Sequence, residues 1–377
     1  MALTAEQQAF RDRVQKISKE KVAPRAEEID STNEFPWDLM EIMRKEKLAG
    51  LLVPKEYGGL GADLTSIALL NEALAGACGG FAMAMATSNL APLLPMRFGT
   101  EEAKKRYLPK LAEGALANMV CISEEHAGTD MGAIKSTGVK EGDHWVINAE
   151  KWFTEPAETA DMMHVFVKTA PEKGSRGISG FIVEREMAGF GLGRVALGLG
   201  IRGAGLAEIV LRDLKVPEEN MLGAPGEGIK VARLGMELGM IACPLSVGLA
   251  QSALDLAVDH AKTRMAFGKR LCEFQAIQFM LVDMSAEIEA ARAMHYDGCA
   301  RADRGENDAR VFPMTHNFAN SVAIKVSDMA LEVFGGHAVL DWAHPVCRVM
   351  RDIRSTCIAA GGGPNMKRMV SARELFA

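Results

Sequence analysis

The chain has no two cysteines at CxxC spacing; its 7 cysteines are scattered along 377 residues. Thiols so placed suit a reducing compartment, where they stay reduced and buried. The histidines are isolated too, so no metal centre is expected. There is no basic run and no basic stripe interleaved with aromatics, and the net charge is -6. Nucleic acid is therefore not an expected partner. No apolar run is long enough to cross a bilayer, and the opening MALTAEQQAFRDRVQKISKE is polar and amphipathic, unlike a signal peptide. The expected location is cytoplasmic, with no membrane partner. What is present is 48% hydrophobic and 24% charged residues, enough for a large core in a soluble chain. The length is long for one domain and short for three independent ones.

Up to about Ala115 the periodicity predicts helices. Phe10, Val14, Ile17 and Val22 recur at helical spacing, as do Leu39, Ile42 and Met43. Asp30-Ser31-Thr32-Asn33 and Phe98-Gly99-Thr100-Glu101-Glu102 read as helix ends and starts. Tyr57 to Asp63, YGGLGAD, reads as a glycine-rich turn, and GGFAMAMATSNLA as a buried helix with tight neighbours. From about Met119 short runs rich in β-branched and aromatic residues take over: HWVIN, MMHVFVKT, GISGFIVE and AEIVLRDLKV. Turns such as EGDH and PEKGSRG divide them, which predicts an antiparallel β barrel or sandwich. After Gly228 long amphipathic segments return, ALDLAVDHAKTR, FQAIQFMLVDMSAEIEAARAM and SVAIKVSDMALEVF, and predict a helical bundle.

At CISEEHAGTDMGA, Cys121 to Ala133, the chain resembles the acyl-CoA dehydrogenase family of flavoproteins. The resemblance continues, in the family's order, through LLVPKEYGGLG, RFGTEEAKKRYLPKLAEG, GLGIRGAGLAEIVLRDLKVPEENMLG, RMAFGKRLCEFQAIQ and EVFGGHAVLDWAHPVCRVMRD. It implies an α+β architecture: an N-terminal helical domain (1–115), a middle antiparallel β domain (116–225) and a C-terminal four-helix bundle (226–377). It also implies FAD between the β domain and the bundle, a homotetramer in which a neighbouring subunit covers part of each FAD, and an electron-transferring flavoprotein as acceptor. Carried over residue by residue, Ile122 and Ser123 meet the isoalloxazine edge, where a hydroxyl and main-chain N–H groups suit its carbonyls and N–H. Thr129 contacts the FAD or the CoA arm. Arg264 and Phe267 reach the FAD of a neighbouring subunit, an arginine suiting a pyrophosphate. Gln275, Glu332, Gly335 and Gly336 line the adenosine half. The segment WFT has two registers. In the favoured one Trp152 packs near the ring and Thr154 bonds to it; in the other Phe153 packs there and Glu155 faces the flavin. A slip of one residue exchanges the faces of a strand.

The family's base, a glutamate in a Tyr-Glu-Gly-Thr loop, has no counterpart in CIAAGGGPNMKR. Counting from Arg351-Asp352, Ala360 stands in its place and Gly362 in that of the threonine. Alanine accepts no proton, but its backbone N–H can still polarise a thioester carbonyl, a term that matters for an enolate-like state. Ala360 and Gly361 are therefore expected to touch the substrate. An alternative family position falls on Leu238 and Gly239, or Gly239 and Met240, with Glu237 the nearest carboxylate. ATSNLAP offers Thr87, Ser88 and Asn89 but no acid, and His126 stands in the signature loop. The glycines widen the pocket, consistent with a cyclic or branched acyl group. The expected activity is FAD-dependent dehydrogenation of an acyl-CoA, or reduction of an enoyl-CoA, with a displaced base. The alternatives are a desulfinase-type lyase on the same scaffold, or a non-catalytic flavoprotein that binds acyl-CoA.

Overall fold

A computed structural model describes residues 3–237, 242–306 and 310–359, together with Arg368, Ala372, Leu375 and Phe376. Helix α1 (Ala5–Ile17) begins at a capping box: Gln7 N–H donates to Thr4 Oγ1, and Thr4 N–H to Gln7 Oε1. The helical path runs on into α2 (Ala26–Thr32) and stops at Asn33, whose φ of 61° is left-handed. Then follow α3 (Trp37–Lys45), α4 (Leu64–Ala77), α5 (Gly79–Leu90), α6 (Leu93–Phe98) and α7 (Glu101–Ala112). Thr100 caps α7 by accepting from Ala103 N–H at 3.1 Å, where the sequence predicted a start. Every residue of α5 is buried. Its tightness is explicit at Gly80, where a Cβ would lie 1.7 Å from the carbonyl oxygen of Arg202 in the middle domain.

The middle domain contains β1 (Ala117–Cys121), β2 (Thr137–Glu141), β3 (His144–Thr154), β4 (Met162–Lys168), β5 (Ile178–Glu184), β6 (Phe190–Val195), β7 (Ala207–Pro217) and β8 (Met221–Leu222). The main path of the sheet runs β6-β7-β3-β2-β4-β5-β8, with β1 added beside β4. The sheet is mixed, a correction to the expected antiparallel one: β1 runs parallel to β4, and β2 touches β4 in parallel at Thr137 and Lys168. The cause is the route of entry. Leu116, on leaving the helical domain, accepts at its carbonyl from the N–H groups of Asp161 and Met162, so β1 and β4 start at the same end. β4 and β5 are covered on both faces. Met163, Val165, Val167, Phe181 and Val183 enter the β-domain core, while Met162, Phe166, Ile178 and Ile182 join the larger core made with the helices. Strand alternation produces this division.

The third domain holds α8 (Gly228–Glu237), α9 (Ala242–Thr263), a small hairpin of β9 (Met265–Ala266) and β10 (Lys269–Arg270), α10 (Gln275–Asp303), α11 (Val311–Phe334), α12 (His337–Leu340) and α13 (Pro345–Ile358). Helices α9, α10, α11 and α13 pack as the bundle, with α4 against α9. α10 buries Met284, Ile288, Ala291, His295 and Cys299, a stripe three or four residues apart. No disulfide joins the cysteines; all are buried except Cys272, which is half-buried. Among the described residues no helix is long and apolar enough to cross a membrane, and no cluster of potential metal ligands occurs.

The three domains meet at the start of the RDIRS segment of α13. Arg351 is fully buried and pairs through both terminal nitrogens with the Asp30 carboxylate of α2. It also donates to Leu199 O at 3.0 Å. Asp352 accepts from Ile201 N–H at 2.6 Å, and Ser355 Oγ from Gly200 N–H at 3.0 Å. Burial pushes the Asp352 carboxyl up to about 6, against the opposing pull of the Ile201 N–H.

Two measurements test this junction. Arg351→Met leaves the Asp30 carboxylate buried without its partner and should cost about 3–5 kcal/mol in chemical denaturation. A loss under about 1 kcal/mol would show that the pair does not hold the domains. Asp352 titrates higher folded than unfolded, where an aspartate lies at about 3.9. Its contribution is therefore fully present below about pH 4 and is lost as pH rises through about 6, some 2–3 kcal/mol in all. Asp352→Asn should flatten the stability profile across that window.

Candidate active site

Ile122 and Ser123 leave β1 at the boundary between the two cores. The Cys121 side chain lies in the β-domain core and that of Ile122 in the helical one. The chain then turns tightly, with Glu124 N–H donating to Ala127 O at 2.8 Å and Ala127 N–H to Glu124 O at 3.1 Å. The Glu124 carboxylate closes the loop from inside. It accepts from Lys135 N–H at 2.6 Å, from Ser136 N–H at 3.1 Å and from the Ser136 hydroxyl, and it pairs with Lys151 Nζ at 2.9 Å. Lys151 is fully buried and also donates to Ile122 O at 3.0 Å. Burial by itself would raise the Glu124 carboxyl; the Lys151 ammonium and the converging donors outweigh it and hold the group at about 2. Burial pulls Lys151 down from its ordinary value against the attraction of Glu124. With these donors converging on the ionised Glu124 carboxylate, the pair is charged. Sequence reasoning missed this clasp. Its signal was there: Trp145, Ile147, Ala149 and Lys151 share one face of β3, and a lysine at an inward position needs a buried counter-charge.

The other wall is the end of β3. Lys151 faces Ile209 of β7 and Thr154 faces Ala207, so β3 carries one extra residue, a bulge at Trp152–Phe153. Phe153 adopts φ 57° and is 64% exposed. Trp152 N–H donates to Ser123 O at 2.9 Å, which joins the two predicted wall segments. The half-buried Trp152 ring has the Arg194 guanidinium 5.5 Å from its centre. Thr154 is 2% exposed, and its hydroxyl lies 3.3 Å from Cys121 Sγ in the β-domain core. This bears on the favoured register, in which that hydroxyl bonds the flavin: the bulge turns it to the opposite face. Glu155 follows, half-buried, and its carbonyl accepts from Asn118 Nδ2 at 2.8 Å. Asn118 Oδ1 is buried with no partner among the described residues.

Thr129 is exposed at the far end of the loop. His126 is exposed too, with Nε2 3.2 Å from Ala133 O, so it is engaged with its own loop. Ser88 and Asn89 of α5 are committed to backbone: Ala117 N–H donates to Ser88 Oγ, Leu51 N–H to Asn89 Oδ1, and Asn89 Nδ2 to Leu48 O. Thr87 is buried beside them.

A second group forms at one end of the bundle, where His260 near the end of α9 stacks on Phe334 of α11 at 4.2 Å. Arg264 follows α9, and Phe267, at the hairpin tip with φ 50°, is 97% exposed. Gln275 and Glu332 are exposed, and Gly335 and Gly336 have no atom within 4 Å of where a Cβ would stand. Ala360 and Gly361 lie outside the described residues, as does the side chain of Glu237; α13 delivers the chain as far as Ala359. The first group fits a flat ring with polar edges: an exposed aromatic at Phe153, the unpartnered Asn118 Oδ1, and main-chain groups around Ser123. The second offers an arginine and open glycine backbone, which suit the phosphate and ribose of a dinucleotide.

Three family models match in sequence order: acyl-CoA dehydrogenase N-terminal domain over residues 4–115, middle domain over 119–214 and C-terminal domain over 226–376. An acyl-CoA dehydrogenase of Bacillus subtilis is 35% identical over 375 residues, 98% of each chain. A cyclohex-1-ene-1-carbonyl-CoA dehydrogenase of Geobacter metallireducens is 34% identical over 377 residues, 99% of each. The structure of butyryl-CoA dehydrogenase from Megasphaera elsdenii superimposes with a TM-score of 0.95 at 32% identity, covering both chains completely.

The clasp can be tested directly. Lys151→Met strands the Glu124 carboxylate and should cost about 3–5 kcal/mol, while the double variant Lys151→Met/Glu124→Gln should recover part of it. Hydrogen exchange at the Lys135 and Ser136 amides should accelerate in the single variant. Unchanged protection there would mean that the loop is held by other contacts.

Proposed function

The chain belongs to the acyl-CoA dehydrogenase family, and we propose that it is an FAD-dependent oxidoreductase acting on the Cα–Cβ bond of an acyl-CoA thioester, with its base displaced from the usual loop. The observation that carries this reading is the signature loop clasped to β3 by Glu124 and Lys151, which aligns Ser123 beside Trp152. Bound FAD would supply the acceptor, or in the reverse direction the donor, of the hydride. Ile122 and Ser123 would meet the edge of its ring, with Trp152 or Phe153 packed against it. Thr129 would bind the FAD or the CoA arm, and Gln275, Glu332, Gly335 and Gly336 the adenosine half. The Ala360 N–H and the Gly361 backbone would hold the thioester carbonyl and favour the enolate-like state. Glu237 is the candidate base, taking the α-proton of the thioester.

The substrate proposed is a cyclic or branched acyl-CoA. The cyclohexene-carbonyl-CoA relative supports a ring-bearing group, as do the consecutive glycines Gly361, Gly362 and Gly363. We propose domain divisions at 115/116 and 225/226, an electron-transferring flavoprotein as acceptor, and a homotetramer. The last is supported by large apolar side chains on the outside of one chain: Phe267, Phe279 and Val282, with Val339 and Leu340. Arg264 and Phe267 would then meet the FAD of a neighbouring subunit.

The deciding experiment is an anaerobic titration of the purified yellow protein with saturated acyl-CoA thioesters, cyclic and branched ones included. Bleaching of the visible flavin band by one of them is expected. A band that shifts without bleaching, together with no reoxidation of dithionite-reduced protein by enoyl-CoA, would overturn the redox reading in favour of a lyase or a binding protein. Glu237→Gln should slow bleaching by about 100-fold or more if that carboxylate is the base. An unchanged rate would remove it from the mechanism.

A further inference from the structure

The bulge at Trp152–Phe153 decides which face each following residue takes. Thr154 enters the β-domain core beside Cys121, and Glu155, the first residue beyond the end of β3, is half-buried on leaving the strand whose Phe153 is exposed. Its carbonyl is tied to Asn118 Nδ2, and the neighbouring Ala117 N–H is held by Ser88 of α5. Glu155 therefore stands where β1, the end of β3 and α5 meet, next to the strand segment bonded to Ser123. The charged groups around it have partners of their own. Lys151 and Glu124 hold each other, and His126 faces Ala133 O. Arg194 pairs with Glu208. Arg185 donates to the carbonyls of Ala157, Glu158 and Ala160, and Asp161 accepts from Leu116 N–H. Among the described residues none provides a cation for Glu155, and nothing in the fold uses its carboxyl. A carboxylate without a partner in a protein wall is costly, whereas the neutral acid is a donor.

We propose that Glu155 faces the flavin site as a hydrogen-bond donor, its carboxyl O–H directed at an acceptor on the bound isoalloxazine ring. The inference rests on the FAD reading above. Burial alone raises Glu155 to about 8. The donor form is therefore the main one at pH 7 and is lost as pH rises through about 8. A ring that accepts this hydrogen bond registers the loss in its visible absorption, whether or not substrate is turned over.

The test is the spectrum of the bound flavin between pH 6 and 9 in the wild-type holoprotein, Glu155→Gln and Glu155→Ala. The wild type should show one transition centred at about pH 8. Glu155→Gln should keep the low-pH spectrum throughout, because an amide donates without titrating. Glu155→Ala should lose the transition and weaken FAD binding about fivefold, read from the fluorescence of released flavin. Persistence of the transition in Glu155→Gln overturns the proposal. So does a wild-type protein that holds FAD and shows no transition, a result that stands even if a variant fails to fold. Failure of the wild type to hold FAD overturns the parent reading instead.

Discussion

A single buried guanidinium ties the architecture together. Arg351 sits at zero exposure near the middle of α13, pairs with Asp30 from the first domain, and donates to Leu199 of the middle domain. Its face lies 4.4 Å from the centre of the Trp342 ring, so the charge is enclosed on that side too. Such a charge persists in a dry interior only when an opposite charge is held against it. Three separately built domains are thus required to meet at one point. Asp352 and Ser355 extend the junction by binding the N–H groups of Ile201 and Gly200. From that junction α13 runs on to Ile358.

The second enclosed pair works on a smaller scale by the same rule. Glu124 and Lys151 are both nearly inaccessible, and each would be expensive without the other. Together they bind the signature loop to a strand of the sheet. The bulge next to them separates the residues that enter the β core from the exposed Phe153. Thr154 goes inward with Cys121, and Phe153 goes outward.

At the other end of the bundle the chain is unfinished as a surface. Phe267 at a hairpin tip and Val339 and Leu340 on α12 carry their apolar area outward. α10 has a second apolar face through Phe279 and Val282, opposite the one it buries in the bundle. Patches of this kind are what the proposed assembly would cover.

The sequence by itself determined the order of helical, β and helical domains, because periods of 3.6 and 2 residues are local properties that burial of one face imposes. It also located ends such as Thr100 before α7 and Asn33 after α2, where caps and left-handed turns depend on neighbours a few residues away. The signature loop was legible for the same reason: its chemistry lies in contiguous residues. Only the tertiary structure decided the rest. That β1 lies parallel to β4 depends on where the chain enters the sheet, which no strand's own pattern records. That Ser88 and Asn89 are spent on backbone depends on Ala117, Leu51 and Leu48, all remote in sequence. The face taken by Thr154 depends on one extra residue in β3 measured against β7. A bulge is a relation between two strands, so only pairing them reveals which side chain turns toward the site.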